Sequence, residues 1–236
     1  MVESVAMWAR AVTPAIVVAL ALALAACGGS DAGESTPLGK GRQRLEPGTY
    51  MLDLTARDRR GGDAAQLPKI EITLPAGWSN FDGWAIAKGG MLNFAAALGF
   101  WDVGAVYPTP CRWAGKPMVA PGPTVEGLAS ALAYQPLRNA TSPTDASLAG
   151  YHGEYLELSV PADVDFADCD EGVFESWTAE GWASDRYQQA PGQVDRLWIL
   201  DVGGQRLVVD ATYLPDTTAG DRSELDGVVR SIRFVD

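Results

Sequence analysis

Few side chains in this 236-residue chain combine type and spacing in a way that could do chemistry. The single histidine, His152, lies in Gly150-Tyr151-His152-Gly153 and is the only imidazole available as a general base. A Ser-His-Asp triad would have to use it, yet no Gly-x-Ser-x-Gly elbow, His-Glu-x-x-His pair or phosphate loop is present. His152 therefore reads as a turn residue ahead of a strand. Residues 163–171 hold five carboxylates: Asp163, Asp165, Asp168, Asp170 and Glu171. Such density could attract Ca²⁺, which takes oxygen ligands. The spacing is not that of an EF-hand and the glycine comes only at Gly172, so a solvated acidic loop is expected and no metal or cofactor is implied. A glycosidase needs only two carboxylates, which any acidic chain can supply.

Aromatic faces are the other resource, since they suit sugars, quaternary amines and peptides. Trp84 and Trp182 each follow a glycine in polar surroundings and, with His152, are the candidate ligand contacts. Trp198 lies in an apolar run and is expected in the core. Trp113 and Trp177 lie near Cys111 and Cys169 and are placed to pack on them.

The N-terminus bears on address. An uncharged segment, residues 11–24, follows Glu3 and Arg10 and ends in Leu24-Ala25-Ala26-Cys27. The run contains Pro14 and stops at Gly28-Gly29, short of the roughly 20 apolar residues a spanning helix wants. Leu24, two small residues and Cys27 resemble a bacterial lipobox. That resemblance implies a signal peptide over 1–26, cleavage before Cys27, a diacylglyceryl group on its sulfur, and a domain held on the extracytoplasmic face of the cell membrane. Two acyl chains anchor stably where one does not. Outside the cytoplasm, the remaining pair Cys111 and Cys169 suggests a disulfide; free thiols or metal ligation are the alternatives.

Residues 27–45 are small, polar and glycine-rich at their start, and read as a lipidated flexible tether. Residues 46–236 suit a single extracytoplasmic domain. The formal net charge of −12 argues against nucleic acid, whose phosphates need Lys and Arg, and against electrostatic docking on anionic lipid.

The elements expected in the domain are mostly strands. Alternation marks 48–54 and 69–74, a short third strand covers 84–87, and a longer one covers 100–107 before Pro108 and Pro110. Thr124 can cap a helix reaching about Gln135, with Val125, Leu128, Ala129 and Leu132 on one face. Strands follow at 153–160 and 172–177. The strongest local signal is Val194–Val202, Gly203-Gly204, then Gln205–Tyr213, a β-hairpin whose unbroken apolar runs place it centrally, buried on both faces. A last helix from about Thr218 aligns Leu225, Val228, Val229 and Ile232. The fold class is α+β: a mainly antiparallel sheet with two amphipathic helices packed on it. Ile70-Glu71-Ile72-Thr73-Leu74-Pro75 echoes Leu156-Glu157-Leu158-Ser159-Val160-Pro161, and each half ends in a helix, as a duplicated βββα unit would.

Pro47-Gly48-Thr49-Tyr50, Leu74-Pro75-Ala76-Gly77-Trp78 and the stretch from Asp195 to Asp201 resemble a broad group of uncharacterised actinobacterial secreted and lipid-anchored proteins. So do Leu207-Val208-Val209-Asp210-Ala211 and Ser231-Ile232-Arg233-Phe234. The closing hairpin, helix and Ser-Ile are similar to PsbP-like and LpqN-type domains, which implies an antiparallel sheet covered by helices and brings no catalytic motif. The function expected is a membrane-anchored, non-catalytic binding or interaction module of the cell envelope with a small-molecule, glycan or protein partner. The alternative is a cell-envelope hydrolase acting on glycans or esters.

Overall fold

The computed structural model describes residues 35–54, 67–90, 93–179 and 185–235. Strands β1 (Thr36–Pro37), β2 (Arg42–Arg44), β3 (Gly48–Leu52), β4 (Lys69–Leu74), β5 (Trp78–Phe81) and β6 (Ala85–Gly90) come first. Then come β7 (Asn93–Trp101), β8 (Val103–Val106), helix α1 (Val125–Ala133), β9 (Asn139–Ala140), β10 (Thr144–Leu148) and β11 (Tyr151–Ser159). After two short 3₁₀ turns come β12 (Glu175–Ala179), β13 (Asp185–Tyr187), β14 (Val194–Val202), β15 (Gln205–Tyr213), helix α2 (Ala219–Arg230) and β16 (Arg233–Val235). The class is α+β, with mainly antiparallel strands and two helices.

The centre is a large sheet in the order β10-β11-β14-β15-β7-β6-β5-β2, with β9 also paired to β11. Its two faces are both covered. On one, Phe100, Leu98, Val209 and Ala211 pack with Leu225, Val228 and Val229 of α2 and with Leu52, Ile70 and Ile72 of the four-stranded sheet β1-β3-β4-β16. On the other, Leu156, Leu197, Ile199 and Val208 pack with Val125, Leu128 and Leu132 of α1 and with Val103, Val106 and Trp177 of the three-stranded sheet β13-β12-β8. Neighbouring residues of β15, Val208 and Val209, serve opposite cores, as the two-residue period of a strand requires. Each fully buried aliphatic chain of this kind is worth about 1.5–3 kcal/mol.

Local signals act where expected. Thr124 Oγ1 accepts from Gly127 N–H and Thr218 Oγ1 from Asp221 N–H, so both helices start on a hydroxyl cap. Gly203 and Gly204 have φ of 64° and 85°, the geometry of a type I′ hairpin turn. Gly153 of β11 is demanded by space: a Cβ there would lie 1.9 Å from the Ile199 carbonyl oxygen of β14.

Several expectations are corrected. Residues 36–37 and 42–44, expected within a flexible tether, form β1 and β2. β1 pairs with β3, β2 pairs with β5, and Leu38 and Leu45 are buried, because backbone pairing supplies order that composition does not reveal. The single strand over 100–107 is two. Phe100 faces the first core, Trp101 and Val103 both face the second, and the chain changes sheets at exposed Asp102. The first part of β7, Asn93-Phe94-Ala95-Ala96-Ala97, and β5 lack the β-branched alternation that marks a strand, and β10 is a polar edge. Trp198 is half-buried, tilted on Tyr155 at 4.9 Å, so the face of β14 that carries it is only partly covered.

Candidate functional site

Of the residues singled out by sequence, the structure joins one pair. Cys111 and Cys169 form a disulfide with both cysteines buried beside Val160 and Phe174. Trp113 lies nearby, edge-on to Tyr107, and donates its indole N–H to Val173 O at 3.2 Å. Trp177 does not pack on the bridge: it is fully buried against Trp101, where the second core has room for its ring. Trp84 is half-buried, edge-on to Trp101 at 4.4 Å, and touches three core clusters. His152 is exposed on β11 opposite Ser147 and belongs to none of those clusters. Cys27 and Trp182 lie outside the described residues.

The acidic connection serves the backbone. Asp165 Oδ1 accepts from Ala167 N–H at 2.9 Å, and Asp170 Oδ2 accepts from Ala114 N–H at 2.8 Å while facing Arg112 at 3.5 Å. Among the described residues, no group of three His, Cys, Asp or Glu side chains is disposed to hold a metal.

The largest concentration of buried charge was not singled out by sequence. Asp195 of β14 and Asp210 of β15 lie on the same face of the hairpin as Leu197. Arg138, just past α1, donates to Asp195 Oδ2 at 2.6 Å and to Ser176 Oγ at 2.8 Å. Arg186 of β13 donates to Asp195 Oδ1 at 2.7 Å and to Asp210 Oδ2 at 2.9 Å. Gln193 Nε2 bonds Asp195 Oδ1 at 3.2 Å and Thr212 Oγ1 at 2.9 Å, while Gln135 Nε2 bonds the carbonyls of Tyr107 and Ser176. Two guanidiniums thus balance two carboxylates in a layer that joins α1, the three-stranded sheet and the central sheet. Burial alone would raise the Asp195 carboxyl, but Arg186 and Arg138 outweigh it and hold it below the usual carboxylate range. Burial pushes Asp210 up to about 7 against the pull of Arg186, with Asp195 adding to the rise. A signal for this layer was present: a charge within strands expected to be buried on both faces must find a partner.

A second ionisable group lies around Glu175, at the start of β12. Burial first, then Asp185 and Glu171, push its carboxyl up to about 7. Only 8% of Glu175 is exposed, and its Oε2 meets no donor among the described residues. Tyr107 is raised above the usual phenol range by burial, Asp185 and Glu175. Glu175 is thus a carboxyl that exchanges its proton near neutrality, beside the exposed Asp185. That combination can hold or release a proton.

One depression lies at the start of α2, about 260 Å³ in volume and lined by Asn93, Phe94, Leu214, Asp216, Thr217 and Asp221. Its carboxylate Asp221 is already paired with Lys88 at 2.8 Å. No family model matches the chain, and no curated protein is significantly similar to it.

Proposed function

We propose that the chain is a lipid-anchored extracytoplasmic lipoprotein whose domain acts as a non-catalytic binding or interaction module of the cell envelope. The observation that carries this reading is the division of the three cysteines. Cys111 and Cys169 are joined in a buried disulfide, which suits an oxidising compartment, and Cys27 stands alone at the Leu24-Ala25-Ala26 junction. No described helix is long and apolar enough to cross a membrane, so attachment in this reading falls to the acyl chains on Cys27. The partner is a small molecule, glycan or protein of the envelope. Metabolic labelling with a fatty acid tests the anchor: Cys27→Ala is expected to lose label and leave the membrane fraction, and unchanged membrane partition would sink it. A thermal-shift screen of envelope glycans and small metabolites tests binding, because a ligand of the native state raises apparent stability.

The finer fold resemblance belongs to the same proposal. The β14–β15 hairpin, α2 and Ser231-Ile232 support kinship in fold with PsbP-like and LpqN-type domains. A duplicated βββα unit rests on the echo of residues 70–75, at β4, with residues 156–161, at β11, strands that lie in different sheets. Any such duplication is not a simple two-fold repeat. Antiparallel β7 and β15 would need an axis along the sheet normal, which keeps both helices on one face, whereas α1 and α2 pack on opposite faces.

A cell-envelope hydrolase acting on glycans or esters is the second reading, favoured by one observation: burial, with Asp185 and Glu171 nearby, pushes the Glu175 carboxyl up to about 7, the range a general acid needs. It predicts glycan or ester cleavage that Glu175→Gln abolishes. Turnover surviving that substitution would remove Glu175 from this role.

A further inference from the structure

We propose that Glu175 is a proton-operated latch that closes the three-stranded sheet on the disulfide-bearing segment when protonated and loosens that side of the domain when ionised. The geometry makes Glu175 a junction. Its N–H donates to Pro110 O at 2.9 Å, next to Cys111, and it stands opposite Tyr187 in the β12–β13 register. Phe174 O, one residue earlier, accepts from Gln188 N–H at 2.9 Å. The backbone of Glu175 therefore sits where β12, β13 and the segment after β8 meet, and a strand irregularity follows between Glu175 and Trp177.

The charged groups around it all favour the neutral form. β13 brings Asp185, and the turn after Cys169 brings Glu171, whose backbone is held in the left-handed region at φ 55°. The segment after β8 brings the Tyr107 hydroxyl, itself engaged with Asp185. Cations near these elements have other partners. Arg112 faces Asp170, Lys116 donates to Thr109 Oγ1 at 2.8 Å, and Arg138 and Arg186 are held on the inner face by Asp195 and Asp210. An ionised Glu175 would thus join two other carboxylates with no donor on its Oε2 among the described residues, and the relief open to it is outward movement to water. That movement works against the β12–β13 pairing, while Arg186 continues to tie the inner side of β13 to the central sheet. The latch does not depend on the lipid anchor or on any catalytic role.

Hydrogen exchange of the full chain, read at the Gln188 and Glu175 amides and corrected for intrinsic rates, tests the latch. Protection at these amides is expected to fall more than tenfold between about pH 5.5 and about pH 8.5, each unit of pKa displacement being worth about tenfold. Amides of the β14–β15 hairpin should hold. Glu175→Gln should retain protection at the higher pH and lose the dependence. Asp185→Asn, which removes one like charge, should move the wild-type midpoint to lower pH. Equal protection of the wild type at both pH values would overturn the proposal, as would a Glu175→Gln variant that still loosens with pH. Should Glu175→Gln fail to fold, an unmoved midpoint in Asp185→Asn would overturn it as well.

Discussion

Replacing Asp195 with Asn changes almost no volume and removes the anion that two guanidiniums share. Asp195 is fully buried and accepts from Arg138 at 2.6 Å, from Arg186 at 2.7 Å and from Gln193 at 3.2 Å. In the variant, Arg138 keeps Ser176 Oγ as a neutral acceptor and Arg186 keeps Asp210. The layer then holds two cations for one anion, with no water to screen the excess. Removing one partner of a buried pair costs about 3–5 kcal/mol, most of it the desolvation of the charge left behind. Because both arginines lose a contact, the upper part of that range, about 4–5 kcal/mol, is expected. Equilibrium urea unfolding at neutral pH should show it as a midpoint lower by roughly 1.5–2 M for a domain of this size. Arg138→Met should cost a similar amount alone. The double variant Arg138→Met/Asp195→Asn should recover part of the sum, since it restores one cation to one anion. A loss under about 1 kcal/mol for Asp195→Asn, or strict additivity in the double variant, would refute the claim that these charges act as one unit.

Three further outcomes follow from the same structure. Reduction, or Cys111→Ser with Cys169→Ser, frees a 58-residue separation and should cost about 4 kcal/mol in the loop-closure account, read as the drop in unfolding midpoint with and without reductant. Gly153→Ala should destabilise by about 1–3 kcal/mol, because its Cβ would stand 1.9 Å from the Ile199 carbonyl oxygen and push β11 from β14; an unchanged melting temperature would contradict that contact. Stability should fall as pH rises through neutrality. A carboxyl at about 7 in the fold and about 4.5 unfolded carries no penalty below the lower value and its full penalty above the higher, so Glu175 alone removes at most about 3 kcal/mol by pH 8.5. Asp210, raised in the same sense, adds to that fall. Asp195 works in the opposite direction, with a contribution present at neutral pH and lost on acidification through its depressed folded value. A stability profile flat from pH 5 to pH 8.5 would refute the Glu175 assignment.

Much of the secondary structure was legible because it rests on local chemistry. Thr124 caps where a hydroxyl cap was expected, the last helix starts at Thr218, Gly203-Gly204 turns the hairpin, and the apolar faces of both helices are the buried ones. Strands were missed where side chains carry little pattern. The Ala-rich start of β7 is a central strand because β6 and β15 pair with it on either side. The site was less legible. Trp84 and His152 drew notice for their types, yet one packs in the core and the other faces solvent on β11. Glu175 and Arg138 looked ordinary in sequence, since what distinguishes them is burial and the charges brought beside them from distant elements.

Cysteine count, the Leu24-Ala25-Ala26-Cys27 junction, net charge and hydrophobic period are properties of the chain alone, and they determined its expected address, its acidic balance and its α+β class. Only tertiary structure decided that Asp195 would sit between Arg138 and Arg186, and that Glu175 would be closed in with Asp185 and Glu171. The reason is that ionisation depends on solvent and neighbouring charge. Residues as far as 57 positions apart acquire those surroundings only when the sheets stack.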